Sequence, residues 1–383
     1  YVAYKLKEKY DKNYIVAVRN TDINVFFKYF FFLRKLGVKI LENSEKIIFI
    51  SHTAKSEVLK KYIPNYLKKD FEKKSIVVPN GVDNIFLEGE ILKENKIDIA
   101  IIATESGYHA EIGLYFLENG VNLIIEKPLA MSIEGAQKLV DTAKKNNLKL
   151  AASHQNRFNY PIQLLKKAIK ENRLGRIFNG MARILWTRDD NYYLQAPWRG
   201  TWALDGGTLM NQCIHNIDLI NWMMDDEIDT VYAQTSNYIR NIEAEDYGVI
   251  LIRYKSGKIA TIEGSAIIYP KNLEETLTVT GEKGTVVIGG MAVNKINTWR
   301  VEGDNEQEYL SIDCGDPNSV YGYGHEALYK DFVDALDENR EPLVNGIAGL
   351  NAVKIILAAY KSQKTGMAIK FDEFLKFSTV DMV

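Results

Sequence analysis

The stretch IDIAIIATESGYHAEIGLYFLENGVNLIIEKP, residues 97–128, decides the fold class of this chain. Residues 97–103 form an apolar run of strand length, residues 109–119 have helical length and end before Gly120, and residues 121–125 form a second apolar run. Continuous apolar runs joined by a helix are typical of strands buried inside a parallel sheet. The stretch therefore predicts an α/β fold with a parallel sheet.

The same alternation of strand and helix continues on both sides of this stretch. The further predicted strands are residues 15–18, 47–50, 76–78 and 148–152, and the further predicted helices are residues 26–36, 54–61 and 132–145. Such alternation favours βαβ units and hence parallel strands. The dense turn signal PNGVD at residues 79–83 predicts a boundary near residues 84–92.

After residue 175 the pattern changes to strands joined by short turns. The predicted strands are residues 177–186, 230–238, 246–254, 258–266 and 276–280, and the predicted helices are residues 207–224, 325–336 and 348–365. Short turns between strands indicate a mostly antiparallel sheet, here in an α+β domain with helices packed on one face. The expected division is residues 1–90, 91–152 and 153–383.

Composition excludes several classes of protein. The 383 residues include 48 basic and 50 acidic side chains, and this balance argues against nucleic acid as a partner. Cys213 and Cys314 are the two cysteines, too few for a disulfide framework or a cysteine zinc site. No apolar run reaches the length of a membrane span, and the first residues are mixed and charged rather than a secretory signal. We therefore expect a cytoplasmic protein with no membrane partner.

Polar side chains follow three of the predicted parallel strands. Thr104, Lys127 and Gln155 lie at these strand ends, where open parallel sheets bind their ligands. Burial at such an end could lower the pKa of Lys127, so that its side chain orients or protonates a substrate oxygen, with Glu126 as its partner. A solvated surface lysine is the alternative.

A second group of candidates lies in the predicted helix 207–224. Asn211, His215 and Asp218 are spaced i, i+4, i+7 and would share one face. Histidine is the usual acid or base near neutral pH, although a buried, hydrogen-bonded histidine has the same pattern. Trp198 and Arg199 belong to the segment WRGTW, which combines aromatic rings with a guanidinium group. Such a segment can stack on a ligand and contact a phosphate or a carboxylate. A packed loop without a ligand is the alternative.

No standard nucleotide or metal motif occurs in the chain. G-x-G-x-x-G is absent, and the nearest match, residues 322–327, lies late in the chain and outside any βαβ unit. H-E-x-x-H, the P-loop and G-x-S-x-G are absent as well, so metal and acyl-transfer chemistry have no support.

Residues 91–383 nevertheless resemble the Gfo/Idh/MocA oxidoreductase family. The segments that carry this resemblance are ATESGYHAEI at 103–112, EKPLA at 126–130, QNRF at 155–158, GGTLMNQCIHNIDL at 206–219, ED at 245–246, and residues 322–332. The resemblance implies a nicotinamide-binding Rossmann domain followed by an open-faced sheet. It also implies hydride transfer between a sugar or cyclitol carbon and NAD or NADP.

The resemblance assigns roles to the candidate residues. His215 would take the hydroxyl proton and Lys127 would position the hydroxyl, with Asn211 standing where many members of the family carry Asp. The residues implied to bind the cofactor are Thr104, His109, Glu126, Lys127, Pro128 and Gln155. The residues implied to bind the sugar are Arg157, Trp198, Arg199, Asn211 and Asp218.

Two further expectations concern the substrate and the assembly. The WRGTW and Met-Asn-Gln features look similar to the branch of the family that acts at C3 of nucleotide-linked N-acetylhexosamine uronates. An open sheet face often pairs with a copy of itself, which favours a homo-oligomer.

The N-terminal region resembles a different family. VAVRNTDIN at 16–24, FIS at 49–51 and VPNGVD at 78–83 look like the first half of a family 4 (GT-B) glycosyltransferase. The first βαβ unit of the dinucleotide-binding domain is therefore atypical or replaced. Two alternatives to the oxidoreductase follow, namely a glycosyltransferase fragment fused to it and a sugar-nucleotide-binding protein without turnover.

Overall fold

The computed structural model describes residues 4, 7–8, 15–18, 34–49, 52–77, 97–315, 322 and 324–383. The chain divides into two compact units. The first comprises residues 1–102, 111–124 and 142–148, and the second comprises residues 103–110, 125–141 and 149–383. No helix in the described part of the chain is both long and apolar enough to cross a membrane.

The first unit contains a small parallel sheet. Its strands are β1 (Ile15–Val18), β2 (Lys46–Phe49) and β3 (Ser75–Val77), hydrogen-bonded in that order. Val16 lies opposite Ile47, and Ile48 lies opposite Ile76. These strands confirm the predicted parallel arrangement to within one residue at each end.

Three helices accompany this sheet, namely α1 (Arg34–Glu42), α2 (His52–Lys61) and α3 (Lys68–Lys74). Apolar side chains from strands and helices form one buried cluster, made of Leu41, Ile47, Phe49, Val58, Leu59, Ile63 and Phe71. The predicted helix at residues 26–36 and the turn at residues 79–83 lie largely or wholly outside the described residues.

A second small sheet carries the strand ends that matter for function. β4 (Ile99–Ile102), β5 (Asn122–Ile125) and β6 (Leu150–Ala152) form it in that order. The helices that follow these three strands along the chain are α4 (His109–Glu118), α5 (Ile133–Lys145) and α6 (Tyr160–Lys170). Leu123, Ile124 and Ile125 are all fully buried, as the continuous apolar run of β5 predicts.

The large sheet has eight strands. They are β7 (Ile177–Leu185), β8 (Ile228–Ser236), β9 (Tyr247–Tyr254), β10 (Ile259–Ser265), β11 (Glu274–Gly281), β12 (Gly284–Gly289), β13 (Lys295–Val301) and β14 (Ile369–Lys370). Their order is β13-β12-β11-β7-β10-β9-β8-β14. Every neighbouring pair is antiparallel except β7 with β10, which confirms the mostly antiparallel prediction.

Helices cover one face of this sheet. Those of this region are α7 (Asp190–Leu194), α8 (Thr208–Asn211), α9 (Ile214–Met224), α10 (Glu306–Leu310), α11 (Gly324–Asp337) and α12 (Gly346–Thr365). α9 packs on β7 and α12 packs on β8. Along β9, Ile250 and Ile252 are fully buried while Val249 and Leu251 are exposed, so the opposite face is open.

The predicted helix 207–224 is interrupted, and this corrects the sequence-based prediction. The amide N–H groups of Gln212 and Cys213 both donate to the carbonyl of Thr208, so the regular helical register is lost by one residue. The helix resumes at Ile214 as α9. Cys213 lies against β10 at Gly264, where an added Cβ would come within 2.5 Å of the Cys213 Sγ.

Candidate active site

Lys127 lies two residues after the end of β5, and its side chain contacts a residue far away in the sequence. Its half-buried side chain donates from Nζ to the Asn211 carbonyl oxygen at 2.6 Å and to Asn211 Oδ1 at 3.0 Å. The strand end positions the lysine, and the last residue of α8 receives it. The structure therefore brings together two of the residues that the sequence analysis assigned to catalysis.

Asp205 supports Asn211 from behind. Asn211 Nδ2 donates to Asp205 Oδ1, and the Gly200 amide N–H donates to Asp205 Oδ2 at 2.8 Å. Asp205 is only 2% exposed. Because the carboxylate takes the NH₂ group, the amide oxygen of Asn211 is turned toward the lysine. Sequence reasoning missed Asp205, and the available signal was an acidic residue directly before Gly206 and Gly207.

Gly200 has a conformation that this contact requires. Its φ is +72°, in the left-handed region that favours glycine. A Cβ at this position would also lie 2.5 Å from the side chain of Ile242. The WRGTW segment therefore contacts the buried carboxylate of Asp205 through the backbone N–H of Gly200 and not through one of its own side chains.

Opposing electrostatic effects act on Lys127. Burial lowers the pKa of its ammonium, and the positive charges of Arg199 and Arg188 lower it further, whereas the negative charges of Asp205 and Glu126 raise it. Burial also raises the pKa of Asp205, opposed by the Gly200 N–H and by the charge of Lys127. The net effect lowers the pKa of Lys127, so its ammonium loses a proton more readily than that of a surface lysine.

His215 lies in the first turn of α9 and is 9% exposed. Burial and the positive charge of Lys127 lower its pKa well below the ordinary value, with smaller contributions from His154 and His325. The imidazole is consequently neutral near pH 7 and has a lone pair available. Its Nδ1 atom is buried and makes no hydrogen bond within the described part of the chain.

His154 stands next to His215 and was not assigned a role from the sequence. The two rings meet edge to face, with centroids 5.6 Å apart. His154 is 0% exposed, and neither of its ring nitrogens has a hydrogen-bond partner among the described residues. Burial lowers its pKa as well. Its position after β6 was the signal, because that strand end was already a predicted ligand position.

Arg157 and Asp218 partner each other. Arg157 Nε and Nη2 donate to the two carboxylate oxygens of Asp218 at 2.7 and 2.6 Å, and both side chains are buried. The guanidinium also lies over the Trp222 ring, 4.8 Å from its centroid. Asp218 thus bonds Arg157, while Asn211 bonds Lys127. Their assignment to sugar binding stays a prediction.

The other predicted cofactor-binding residues lie around the same strand ends. The buried His109 ring has Nδ1 2.7 Å from the Pro128 carbonyl oxygen and Nε2 3.2 Å from that of Thr104. His109 therefore ties the segment after β4 to the residue after Lys127. Gln155 is buried at the start of a 3₁₀ helix, and Glu126 Oε1 lies 3.9 Å from His325 Nε2.

The WRGTW segment contributes Arg199. Its Nη1 donates to the Tyr192 hydroxyl at 2.6 Å, and the guanidinium lies 4.3 Å from the Tyr192 ring centroid and 4.8 Å from that of Trp198. Arg188, which the sequence analysis did not single out, lies over the same Tyr192 ring at 5.3 Å. No group of three or more metal-ligating side chains occurs among the described residues.

Two family models match the chain. Residues 43–154 match the model described as the NAD-binding Rossmann fold of an oxidoreductase family, and residues 166–371 match the C-terminal alpha/beta domain of the same family. The first match begins inside residues 1–90, the segment for which the sequence analysis predicted a resemblance to a glycosyltransferase, and no comparison shows that resemblance.

Solved structures and curated relatives agree with these models. The WlbA dehydrogenase from Chromobacterium violaceum, solved with NADH and UDP-GlcNAcA, is 30% identical with a TM-score of 0.74, over 94% of this chain and 95% of that one. The WlbA dehydrogenase from Bordetella pertussis, solved with the same ligands, is 27% identical with a TM-score of 0.73, over 94% and 98%. Myo-inositol 2-dehydrogenase from Thermotoga maritima is 23% identical over 77% of this chain and 86% of the relative.

Proposed function

Because the chain belongs to the Gfo/Idh/MocA oxidoreductase family, we propose that it oxidises a hydroxyl carbon of a sugar nucleotide with NAD, at C3 of a UDP-linked N-acetylhexosamine uronate. Two similar dehydrogenases bind NADH and UDP-GlcNAcA, which supports this choice of substrate. The observation that carries the proposal is the pair of hydrogen bonds by which Asn211 holds the Lys127 ammonium. The charge of that ammonium also lowers the pKa of His215, so the two groups interact.

Polar groups at the strand ends fit a nicotinamide cofactor and a sugar. The buried Ser153 Oγ, both ring nitrogens of His154 and Asn156 Oδ1 have no hydrogen-bond partner among the described residues. Buried polar atoms are normally hydrogen-bonded, so these groups suit a polar ligand at the end of β6. Glu126, Lys127 and Pro128 would hold the nicotinamide end, with Thr104, His109 and Gln155 around it. When bound, NAD supplies the hydride acceptor.

The side chains of the site handle the hydroxyl and its proton. Lys127 Nζ donates a hydrogen bond to the substrate hydroxyl oxygen and holds the carbon in place for hydride departure. As the C–H bond gives up its hydride and a C=O bond forms, the O–H proton passes to His215. A neutral imidazole is required, and the lowered pKa of His215 provides it.

The substitution Lys127→Met tests the proposal. It removes the hydrogen bond to the hydroxyl oxygen and keeps a side chain of similar length, so we expect NADH formation to fall about 100-fold or more. Binding of the UDP-linked uronate should stay within a few fold. The measurement is absorbance of NADH with that sugar nucleotide as substrate, beside calorimetric binding.

Lys138→Met is the matched control, because Lys138 is exposed on α5. It should behave as the wild type. Turnover of Lys127→Met at the wild-type rate would falsify the catalytic assignment.

The alternatives make different predictions. A sugar-nucleotide-binding protein without turnover would show no quenching or energy transfer on titration with millimolar NADH. The resemblance of residues 1–90 to a glycosyltransferase stays a prediction, as do the division into residues 1–90, 91–152 and 153–383 and the cytoplasmic location.

We also propose that the open face of the large sheet pairs with a second copy of the chain. Met181, Thr261, Leu251 and Tyr232 lie opposite one another on neighbouring strands and form a cross-strand row on that face. Three of these four side chains are large, apolar or aromatic, and exposed. A contiguous apolar patch of this kind marks interaction surfaces in other proteins.

A further inference from the structure

Two arginines converge on one tyrosine ring beside the Lys127 site. The guanidinium carbons of Arg199 and Arg188 lie 4.3 and 5.3 Å from the centroid of Tyr192. Arg188 also lies 4.8 Å from the Trp186 ring and Arg199 the same distance from that of Trp198. Stacking on aromatic faces holds guanidinium planes in place while leaving their edges free to donate.

Within the described part of the chain, each of these two side chains donates one hydrogen bond. Arg188 Nη1 donates to the Thr187 carbonyl oxygen at 2.7 Å, and Arg199 Nη1 donates to the Tyr192 hydroxyl at 2.6 Å. Both acceptors are neutral, and a guanidinium has five N–H donors. Arg199 Nε is buried and has no hydrogen-bond partner among the described residues. The pair therefore has both the charge and the donors to bind an anionic group.

Two routes of direct contact connect the arginines to Lys127. Along the first, Gly200, the neighbour of Arg199, donates to Asp205, and Asp205 accepts from Asn211, which binds Lys127.

Along the second route, Gln212 Nε2 donates to the Tyr192 hydroxyl at 3.3 Å, and Gln212 directly follows Asn211. The charges of Arg199 and Arg188 also lower the pKa of Lys127, which agrees with their being close to it. Each carboxylate oxygen of Asp205 already accepts a hydrogen bond, one from the Gly200 N–H and one from Asn211 Nδ2.

We propose that Arg188 and Arg199 form a subsite for the carboxylate of a sugar acid, next to the carbon whose hydroxyl Lys127 holds. The subsite rests on the proposed function, since it specifies which sugar nucleotides the same site accepts. Planar guanidinium groups bind carboxylates with two parallel hydrogen bonds, and such charged pairs are stronger than neutral ones. The diphosphate of a sugar nucleotide also carries anionic oxygens that arginine binds. The test therefore distinguishes binding of the sugar carboxylate from binding of the diphosphate.

The test compares binding of three ligands by calorimetry in the presence of NADH. They are UDP-N-acetylglucosamine uronate, UDP-N-acetylglucosamine, which keeps the diphosphate but lacks the sugar carboxylate, and UDP alone. In Arg188→Met and in Arg199→Met we expect the uronate to bind about 10- to 100-fold more weakly, as for loss of a charged hydrogen bond. Binding of the other two ligands should change less than about threefold, because neither carries the carboxylate.

Arg183→Met is the matched control. Arg183 lies on β7 and forms ion pairs with Glu263 and Glu274, each at 3.1 Å, on the open face of the sheet. It should bind all three ligands like the wild type. Thermal melting checks that each variant is folded, and the two arginine variants provide independent tests.

Two results would overturn the subsite. Unchanged uronate affinity in both arginine variants would show that the pair binds no anion of the substrate. An equal loss of affinity for all three ligands would assign the pair to the diphosphate instead. Failure of the proposed function is separate, because a protein that prefers the uronate yet forms no NADH keeps the subsite and loses the redox proposal.

Discussion

At the scale of single residues, the site depends on a buried carboxylate that carries no direct role in the proposed reaction. Asp205 meets Asn211 and the Gly200 N–H, and its charge raises the pKa of Lys127 against the effect of burial. The Asn211 side chain is neutral, and the negative charge lies on Asp205, which contacts Lys127 only through Asn211. Asp205 is thus a positioning residue that acts through Asn211.

The substitution Asp205→Asn should therefore move the pH dependence of turnover. With the negative charge gone, the pKa of Lys127 falls further, so the ammonium is lost at a lower pH. We expect the decline of kcat/KM on the alkaline side to begin at lower pH, together with a fall of about 10-fold at the optimum as Asn211 loses its support. The measurement is a pH–rate profile.

Asp141→Asn is the control for this profile, since Asp141 is an exposed residue of α5 that accepts a hydrogen bond from Gln137. Its profile should match that of the wild type. An alkaline limb that stays in place in Asp205→Asn, or moves to higher pH, would contradict the positioning role.

At the scale of elements, the predictions succeeded where the hydrophobic pattern is local. The strands β4 and β5 and the helix α5 occur where predicted, because apolar runs and helical periodicity depend on neighbouring residues. The pattern did not single out β12 and β13. It also missed the interruption between α8 and α9, which depends on packing against β10.

One buried contact links two elements beneath the site. Arg157, in the 3₁₀ helix after β6, pairs with Asp218 on α9, with side-chain exposures of 8% and 2%. Breaking such a pair leaves an uncompensated buried charge. We therefore expect Arg157→Met to lower the free energy of unfolding by about 3–5 kcal/mol, as measured by urea denaturation.

Lys167→Met is the control for this prediction, because Lys167 forms an exposed pair with Glu171 one turn along α6. It should change the free energy of unfolding by less than about 0.5 kcal/mol. Equal and small effects of the two substitutions would show that the buried pair adds nothing to stability.

At the scale of the whole molecule, one face of the large sheet is not covered by any helix of the described residues. Leu251, on β9, is 43% exposed and lies opposite Thr261 on one side and Tyr232 on the other. If a second copy covers this face, a charge placed there would be buried without a partner at considerable cost.

The substitution Leu251→Glu should therefore shift the protein from dimer or larger assemblies to monomer. The measurement is size-exclusion chromatography with light scattering. Leu375→Glu is the control, since Leu375 is 69% exposed and lies outside the strands of the large sheet. The open-face interface is wrong if the wild type is already a monomer or if both variants keep its assembly state.

The sequence by itself determined the fold class, the family, and which strand ends would carry polar side chains. These features depend on runs and motifs of residues that are neighbours along the chain. Only the tertiary structure decided which side chains meet, such as Lys127 with Asn211, 84 residues apart, and Arg157 with Asp218, 61 residues apart. Contacts over such separations depend on how sheets and helices pack, and no local periodicity encodes that packing.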